Sequence, residues 1–322
     1  IPSLVGSEMC IRDSGKPVRD NCGTCHFYGG GGDAVKHGDL DSSMAYPEKD
    51  LDIHMGLDGQ DFACQECHVT KNHVIPGNSL GVSPGAESQL SCEDCHSTAP
   101  HEETLLNKHV TNIACQTCHI PAYSKEIPTK IWWDWSTSGD DNRNVVKDKY
   151  GKPLYVKKKG DMKYGKNVQP EYAWFEPGQA VNYVRGQKIE RPDEVLTIAG
   201  PTSTITDKKA RIYPFKVMRG KQAIDPKYKT LLVVHQIGDD GYWSTDDWKR
   251  SAEIGMKAAG LPFSGEVDFV ETRMYWRITH MVSEASTSLS CLNCHGDKGR
   301  LDWQELGYQG DPMVNPKWAR GQ

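Results

Sequence analysis

"NCGTCHFYGGGGDAVKHGD", residues 21–39, puts two cysteines and a histidine in one tight unit, follows them with four consecutive glycines, and then sets a lysine beside a histidine. The unit recurs along the chain. Ten of the eleven cysteines fall in five copies of C-x-x-C-H: Cys22-Gly-Thr-Cys25-His26, Cys64-Gln-Glu-Cys67-His68, Cys92-Glu-Asp-Cys95-His96, Cys115-Gln-Thr-Cys118-His119 and Cys291-Leu-Asn-Cys294-His295. Four copies crowd into residues 22–119, and the fifth waits until Cys291.

C-x-x-C-H is the attachment sequence of c-type haem. The two thiols form thioethers to the porphyrin vinyl groups, and the next residue supplies an imidazole to the iron. Competing chemistries fit poorly. Tetrahedral zinc sites combine cysteine pairs two at a time, and five pairs do not divide that way. Redox-active C-x-x-C belongs with a βαβ pattern that this chain lacks. A disulfide framework leaves the five following histidines without a purpose. Five covalent haems are therefore expected.

Composition agrees with that reading. Only 37% of the 322 residues are hydrophobic, the mean hydropathy is −0.63, and there are 31 Gly and 18 Pro, which is thin for a conventional core of this length. Covalent porphyrins can supply the missing apolar surface. The expected fold is thus a multihaem cytochrome c, mainly α and irregular with little strand, its core organised around covalent haems.

The chain divides unevenly. Residues 1–14, "IPSLVGSEMCIRDS", hold the unmatched Cys10 and resemble a translated sequencing-adapter peptide, so they are set apart from the fold as a non-native segment. On this reading the native beginning and any signal peptide are lost. Residues 15–126 form the four-motif region, with turn-rich links such as "IPGNSLGVSPGAES" at 75–88. Residues 127–264 lack cysteine and are rich in lysine and aromatics. There Trp132, Trp133 and Trp135 suit porphyrin faces or a local core, and the lysines of 157–166 suit a solvated face. "TLLVVHQIG" at 230–238 suggests a strand or two. Residues 265–322 carry the fifth motif. Ala252, Met256 and Ala259 recur at helical spacing, as do Met274, Ile278 and Met281, so helices are expected over both stretches. No apolar run approaches the roughly 18 residues of a spanning helix. Haem c attachment then points to the periplasm.

Seven histidines remain beyond the five of the motifs: His37, His54, His73, His101, His109, His235 and His280. His54, His109 and His280 precede the next motif by six to eleven residues, and His73 and His101 follow a motif by five. At such distances an imidazole can reach a neighbouring haem, and iron held by two histidines suits electron transfer. Seven candidates exceed the needs of five haems.

Longer stretches carry a family resemblance. "NCGTCHFYGGGGDAVKHGDL" (21–40), "ACQTCHIPAYSKEIPTKIWWDWSTSGD" (114–140), "KNVQPEYAWF" (166–175), "YPFKVMRGKQ" (213–222), "GLPFSGEVDFVETRMYW" (260–276) and "ITHMVSEASTSLSCLNCH" (278–295) resemble the C-terminal two-thirds of octahaem tetrathionate reductases, over about residues 15–318. The resemblance implies eight haems in the full-length protein, seven with two histidine ligands and one catalytic haem with a distal lysine. Seven spare histidines and Lys36 make that count of eight. The three missing motifs fit a truncated start. In the family the lysine-ligated haem belongs to an N-terminal motif, which this chain lacks.

The implied activity is a periplasmic oxidoreductase. Electrons from a redox partner protein or a quinol-linked donor pass through stacked haems to a small sulfur or nitrogen oxyanion, of the tetrathionate, nitrite or hydroxylamine type. Lys36 is the implied catalytic ligand and Asp33, three residues before it, its partner for charge or protons. Glycines 29–32 let backbone approach a porphyrin edge. The alternative is a non-catalytic electron conduit. Nucleic acid is not an expected partner.

Overall fold

The computed structural model describes residues 15–70, 74–77 and 90–320. Residues 1–14, His73 and most of the 75–88 link therefore lie outside the described residues. The architecture centres on a nine-stranded mixed sheet: β1 (Thr129–Asp134), β2 (Tyr155–Val156), β3 (Gly160–Gly165), β4 (Glu171–Phe175), β5 (Ala180–Asn182), β6 (Leu196–Pro201), β7 (Arg211–Asp225), β8 (Thr230–Leu231) and β9 (Asp268–Arg277). The spatial order is β2-β3-β1-β7-β9-β6-β5, with β4 and β8 also pairing with β7. The β1–β7 and β6–β9 pairs are parallel, and the remaining pairs are antiparallel. The expectation of little strand is therefore corrected.

The physical reason lies in β7 and β9. Along "DFVETRMYWR" the buried residues Val270, Thr272 and Trp276 recur at even spacing, and β-branched and aromatic residues fill the pleated surface well. Met274, Ile278 and Met281 imitate a helical stripe, yet Met274 lies in a strand and the other two pack beyond its end. The expected C-terminal helix over this stretch is thus a strand. Its partner β7 lies some fifty residues upstream, registered from Phe215 opposite Arg277 to Ile224 opposite Asp268. Before that register begins, β7 contains Pro214, whose partner on the other side is Tyr172 of β4. A proline without an N–H fits this changeover of partners. Gly220 lies opposite Trp133 of β1, where a Cβ would come 2.2 Å from the Trp133 carbonyl oxygen. The close strand approach requires glycine.

Helix Trp248–Ala258 forms as expected, with Asp247 capping the Arg250 amide and Ala252 and Met256 fully buried. Of the stretch at 230–238 only Thr230–Leu231 is strand. Trp133 and Trp135 stack at 4.3 Å, and Trp135 also meets Tyr242, Trp243 and Trp248, which makes a local aromatic core. The buried side chains gather in several small clusters. One of them, containing Phe27, Met44, Leu51, Ile120, Tyr123, Ile278 and Met281, joins the first and fourth motif regions to the chain leaving β9.

Candidate functional site

Each C-x-x-C-H unit begins in a single helical turn: the end of Arg19–His26, then Cys64–Cys67, Cys92–Asp94, Cys115–His119 and Cys291–Cys294. One turn brings residues i, i+3 and i+4 to the same side, so both thiols and the imidazole can address one flat group. Side-chain caps tighten two of these turns, Ser91 before the third motif and Ser290 before the fifth.

Tertiary contacts line the units up. Cys22 lies beside Cys64, and Cys92 beside Cys115. Cys67 lies in the field of Cys95, and Cys118 in that of Cys294. The five motifs therefore follow one another in space in sequence order. The long gap after His119 is closed by the fold: the Leu289 amide donates to the Cys118 carbonyl (3.0 Å) and the Ser283 amide to the His119 carbonyl (2.8 Å). The start of β7 anchors the fourth motif, whose Thr117 hydroxyl donates to the Ile212 carbonyl at 2.7 Å.

Four motif histidines each face one spare histidine. Ring centroids are 6.4 Å apart for His68 and His280, 6.1 Å for His96 and His54, 6.1 Å for His119 and His101, and 6.3 Å for His295 and His109. An imidazole nitrogen bonds a first-row metal at about 2.0 Å and sits roughly 1.1 Å from its ring centre, so two imidazoles sharing one metal from opposite sides lie about 6.2 Å apart. All four pairs match that gap. No group of three or more His, Cys, Asp or Glu side chains converges as a metal site among the described residues. Two opposed imidazoles with no further protein donor suit a metal whose other positions are filled by a macrocycle. The residues present fit haem.

The pairing crosses the sequence. His54 meets the third motif rather than the adjacent second, His101 the fourth, His109 the fifth, and His280 returns from beyond β9 to the second. Among the described residues His26 faces no imidazole at this spacing. His37 packs edge-on against Trp276 at 5.0 Å, and burial pushes its pKa down. His235 bonds Asp240 at 3.1 Å and lines a groove of about 430 Å³ with Arg185, Val234 and Ala258. Neither pairs with a motif histidine.

The glycine run and Lys36 form one structural feature. Residues 27–36 form turns and bends, with no helix between Asp33 and Lys36. Gly30 sits at φ +90°, and a Cβ there would strike the Lys36 side chain at 2.1 Å. The bare backbone thus accommodates the lysine's own alkyl stem. Its ammonium lies 5.7 Å from the centre of the Trp276 ring. Asp33 does not bond Lys36; it accepts from the Ser42 amide (3.0 Å) and hydroxyl (2.5 Å).

Sequence reasoning missed two residues here. Lys216, fully buried in β7, donates to the carbonyls of Val35 (2.9 Å) and Lys36 (2.7 Å) and to the Thr129 hydroxyl (2.5 Å). The Thr129 hydroxyl in turn donates to the Ala34 carbonyl at 2.6 Å. Burial drives the Lys216 pKa down, but three acceptors match the three hydrogens of an ammonium. Asp39 is the second. Burial opposes its charge, yet hydrogen bonds from His280 and the Thr279 amide hold its pKa down at about 2. No local signal marks either residue, because their partners lie far away in sequence.

Known proteins resemble this chain. Residues 130–298 match the family described as "Cytochrome c bacterial", and residues 47–122 match "Cytochrome c7 and related cytochrome c". No curated protein matches the chain. The crystal structure of octaheme cytochrome c from Shewanella oneidensis is similar at a TM-score of 0.87 and 50% identity, over 94% of this chain and 69% of that one. The chain therefore belongs to the octahaem c-type cytochromes and carries covalently bound haem c.

Proposed function

We propose that this chain is part of a periplasmic multihaem reductase of the octahaem tetrathionate reductase type, which delivers electrons to a small sulfur or nitrogen oxyanion. The observation that carries this reading is the set of four imidazole pairs at 6.1–6.4 Å along one row of motifs. Cys22 and Cys25, Cys64 and Cys67, Cys92 and Cys95, Cys115 and Cys118, and Cys291 and Cys294 would hold the five porphyrins. His68 with His280, His96 with His54, His119 with His101 and His295 with His109 would be the axial ligands of four of them. His26 would be the proximal ligand of the fifth. His37, His73 and His235 remain for His26 or for haems on a longer polypeptide.

Bound haem supplies one-electron redox chemistry. The protein's part is to hold each ring and to offer substrate a reachable position. Lys36 suits the second task. An amine is a ligand that a small oxyanion can displace, and once displaced it can offer charge or a proton. Asp33, engaged by Ser42, acts by fixing the loop that carries Lys36, and Lys216 clamps the same loop from below. No helix of the described residues is long and apolar enough to cross a membrane; electrons would arrive from a redox partner protein or a quinol-linked donor.

Two measurements test the reading. Ring planes are nearly parallel in two pairs, at 20° and 11°, and steeply crossed in two, at 65° and 74°. Low-spin electron paramagnetic resonance of the haem-loaded protein should therefore divide into two classes, and predominantly high-spin iron would refute the axial pairing. The activity rests on Lys36. In the octahaem protein that also carries the N-terminal motifs, Lys36→His should abolish reduction of tetrathionate, nitrite and hydroxylamine while leaving reduction of the haems by dithionite intact. Unchanged turnover would favour a pure conduit, a role that the unbroken row of motifs could also serve.

A further inference from the structure

We propose that the second ring nitrogens of the paired histidines rank their sites by reduction potential. Asp39 behind His280 and Asp311 behind His295 make the second and fifth sites the hardest to reduce, and the unsupported His101 makes the fourth the easiest. This rests on the axial pairing proposed above. An imidazole that gives Nε2 to a metal keeps its proton on Nδ1, and the acceptor of that proton sets how much electron density the ring passes on. A carboxylate draws the proton most strongly and favours the oxidised metal; a backbone carbonyl does so less; an unbonded N–H does so least.

All three situations occur in this chain. His280 Nδ1 lies 3.2 Å from Asp39 Oδ2, and that carboxylate, almost wholly buried, is fixed by the amides of Thr279 (2.7 Å) and His280 (3.0 Å). His295 Nδ1 lies 2.6 Å from Asp311 Oδ1, and Asp311 Oδ2 accepts from the Gly296 amide at 2.7 Å. Their partners across the gap use carbonyls: His68 Nδ1 meets Pro76 O at 2.7 Å, and His109 Nδ1 meets Leu105 O at 2.9 Å. In the third pair the carboxylate nearest His54 is Asp52, 3.8 Å from Nδ1 and beyond hydrogen-bond reach. In the fourth, His101 Nδ1 is buried with no partner. Among the four paired sites the potential therefore rises from the second motif through the third to the fourth and falls again at the fifth, so an electron arriving at any of them comes to rest at the fourth motif.

The test is a spectroelectrochemical titration of the haem-loaded full chain. Asp39→Asn and Asp311→Asn preserve side-chain shape and remove the charge. Each is expected to move one midpoint to higher potential and leave the others in place, with the low-spin spectrum unchanged. His101→Met should alter the wave of highest potential. If Asp39→Asn fails to fold, because Asp39 also binds two amides, Asp311→Asn in the C-terminal loop decides alone. Unmoved midpoints with intact low-spin spectra overturn the ranking and leave the axial pairing standing, as does a His101→Met change confined to a lower wave. High-spin iron in the unaltered protein overturns both.

Discussion

The motif region and the sheet are held together by different means. In the sheet, β7 and β9 pair over ten registered positions and bury Phe215, Val217, Ile224, Val270 and Trp276 through backbone ladders and ordinary side-chain packing. Around the motifs, helices shrink to single turns, and the apolar side chains Val69, Leu105, Leu106 and Leu292 stand open to solvent in the polypeptide alone. Apart from the cluster around Met44 and Ile120, the second region buries little apolar side-chain surface of its own, and its prosthetic groups supply the rest. The difference teaches that a chain poor in hydrophobic residues can contain a conventional core in one part and a cofactor-built core in another.

The largest expected effect separates the two regions outright. Removing one attachment site with Cys115→Ser and Cys118→Ser should lower the haem count from five to four and abolish hydrogen-exchange protection around residues 104–122 and 283–295. Protection along β7 should persist. Uniform loss across both regions would break the comparison. On the sheet side, Phe215 is fully buried between Phe175 and Tyr275. Phe215→Ala should cost about 3–5 kcal/mol in denaturant unfolding without changing the haem spectrum. A spectral change would show that the sheet and the haem sites are not separable.

A smaller effect sharpens the account of the motif region. Asp41, beside Met44 in its cluster, has one carboxylate oxygen buried with no partner, and burial raises its pKa from 3.8 to about 6. A raised carboxyl favours folding while protonated, so its contribution is complete below pH 3.8 and disappears as pH rises through about 6. Asp41→Asn keeps the acceptor that Ser43 uses and removes the charge. It should stabilise the protein by about 2–3 kcal/mol at pH 8 relative to pH 4. Thermal unfolding at the two pH values measures this; a pH-independent difference would show that water or a cation already compensates the charge.

Some of this was legible in residue order. C-x-x-C-H is a local motif: its geometry is completed within one helical turn, so attachment of haem and the identity of its proximal histidine follow from adjacency. The long idiosyncratic stretches carried the family. Strand content was not legible, because "TRMYWRITHM" satisfies a helical and a strand period at once, and the choice is made by β7, a partner some fifty residues away. The glycine run after Cys22 marked a close approach, but the group approaching is Lys36 itself.

The sequence alone determined the cofactor, the number of attachment sites and the residues that could complete them, because thioether chemistry and its adjacent imidazole are encoded over five consecutive positions. Only the tertiary structure decided which histidine faces which, and which ring nitrogen meets a carboxylate, a carbonyl or nothing. The reason is physical: those contacts span from a few to more than two hundred residues and carry no periodicity, so they exist only in the folded chain, as where the segment leaving β9 sets Thr279 and His280 against Asp39 and Val282 against Asp52.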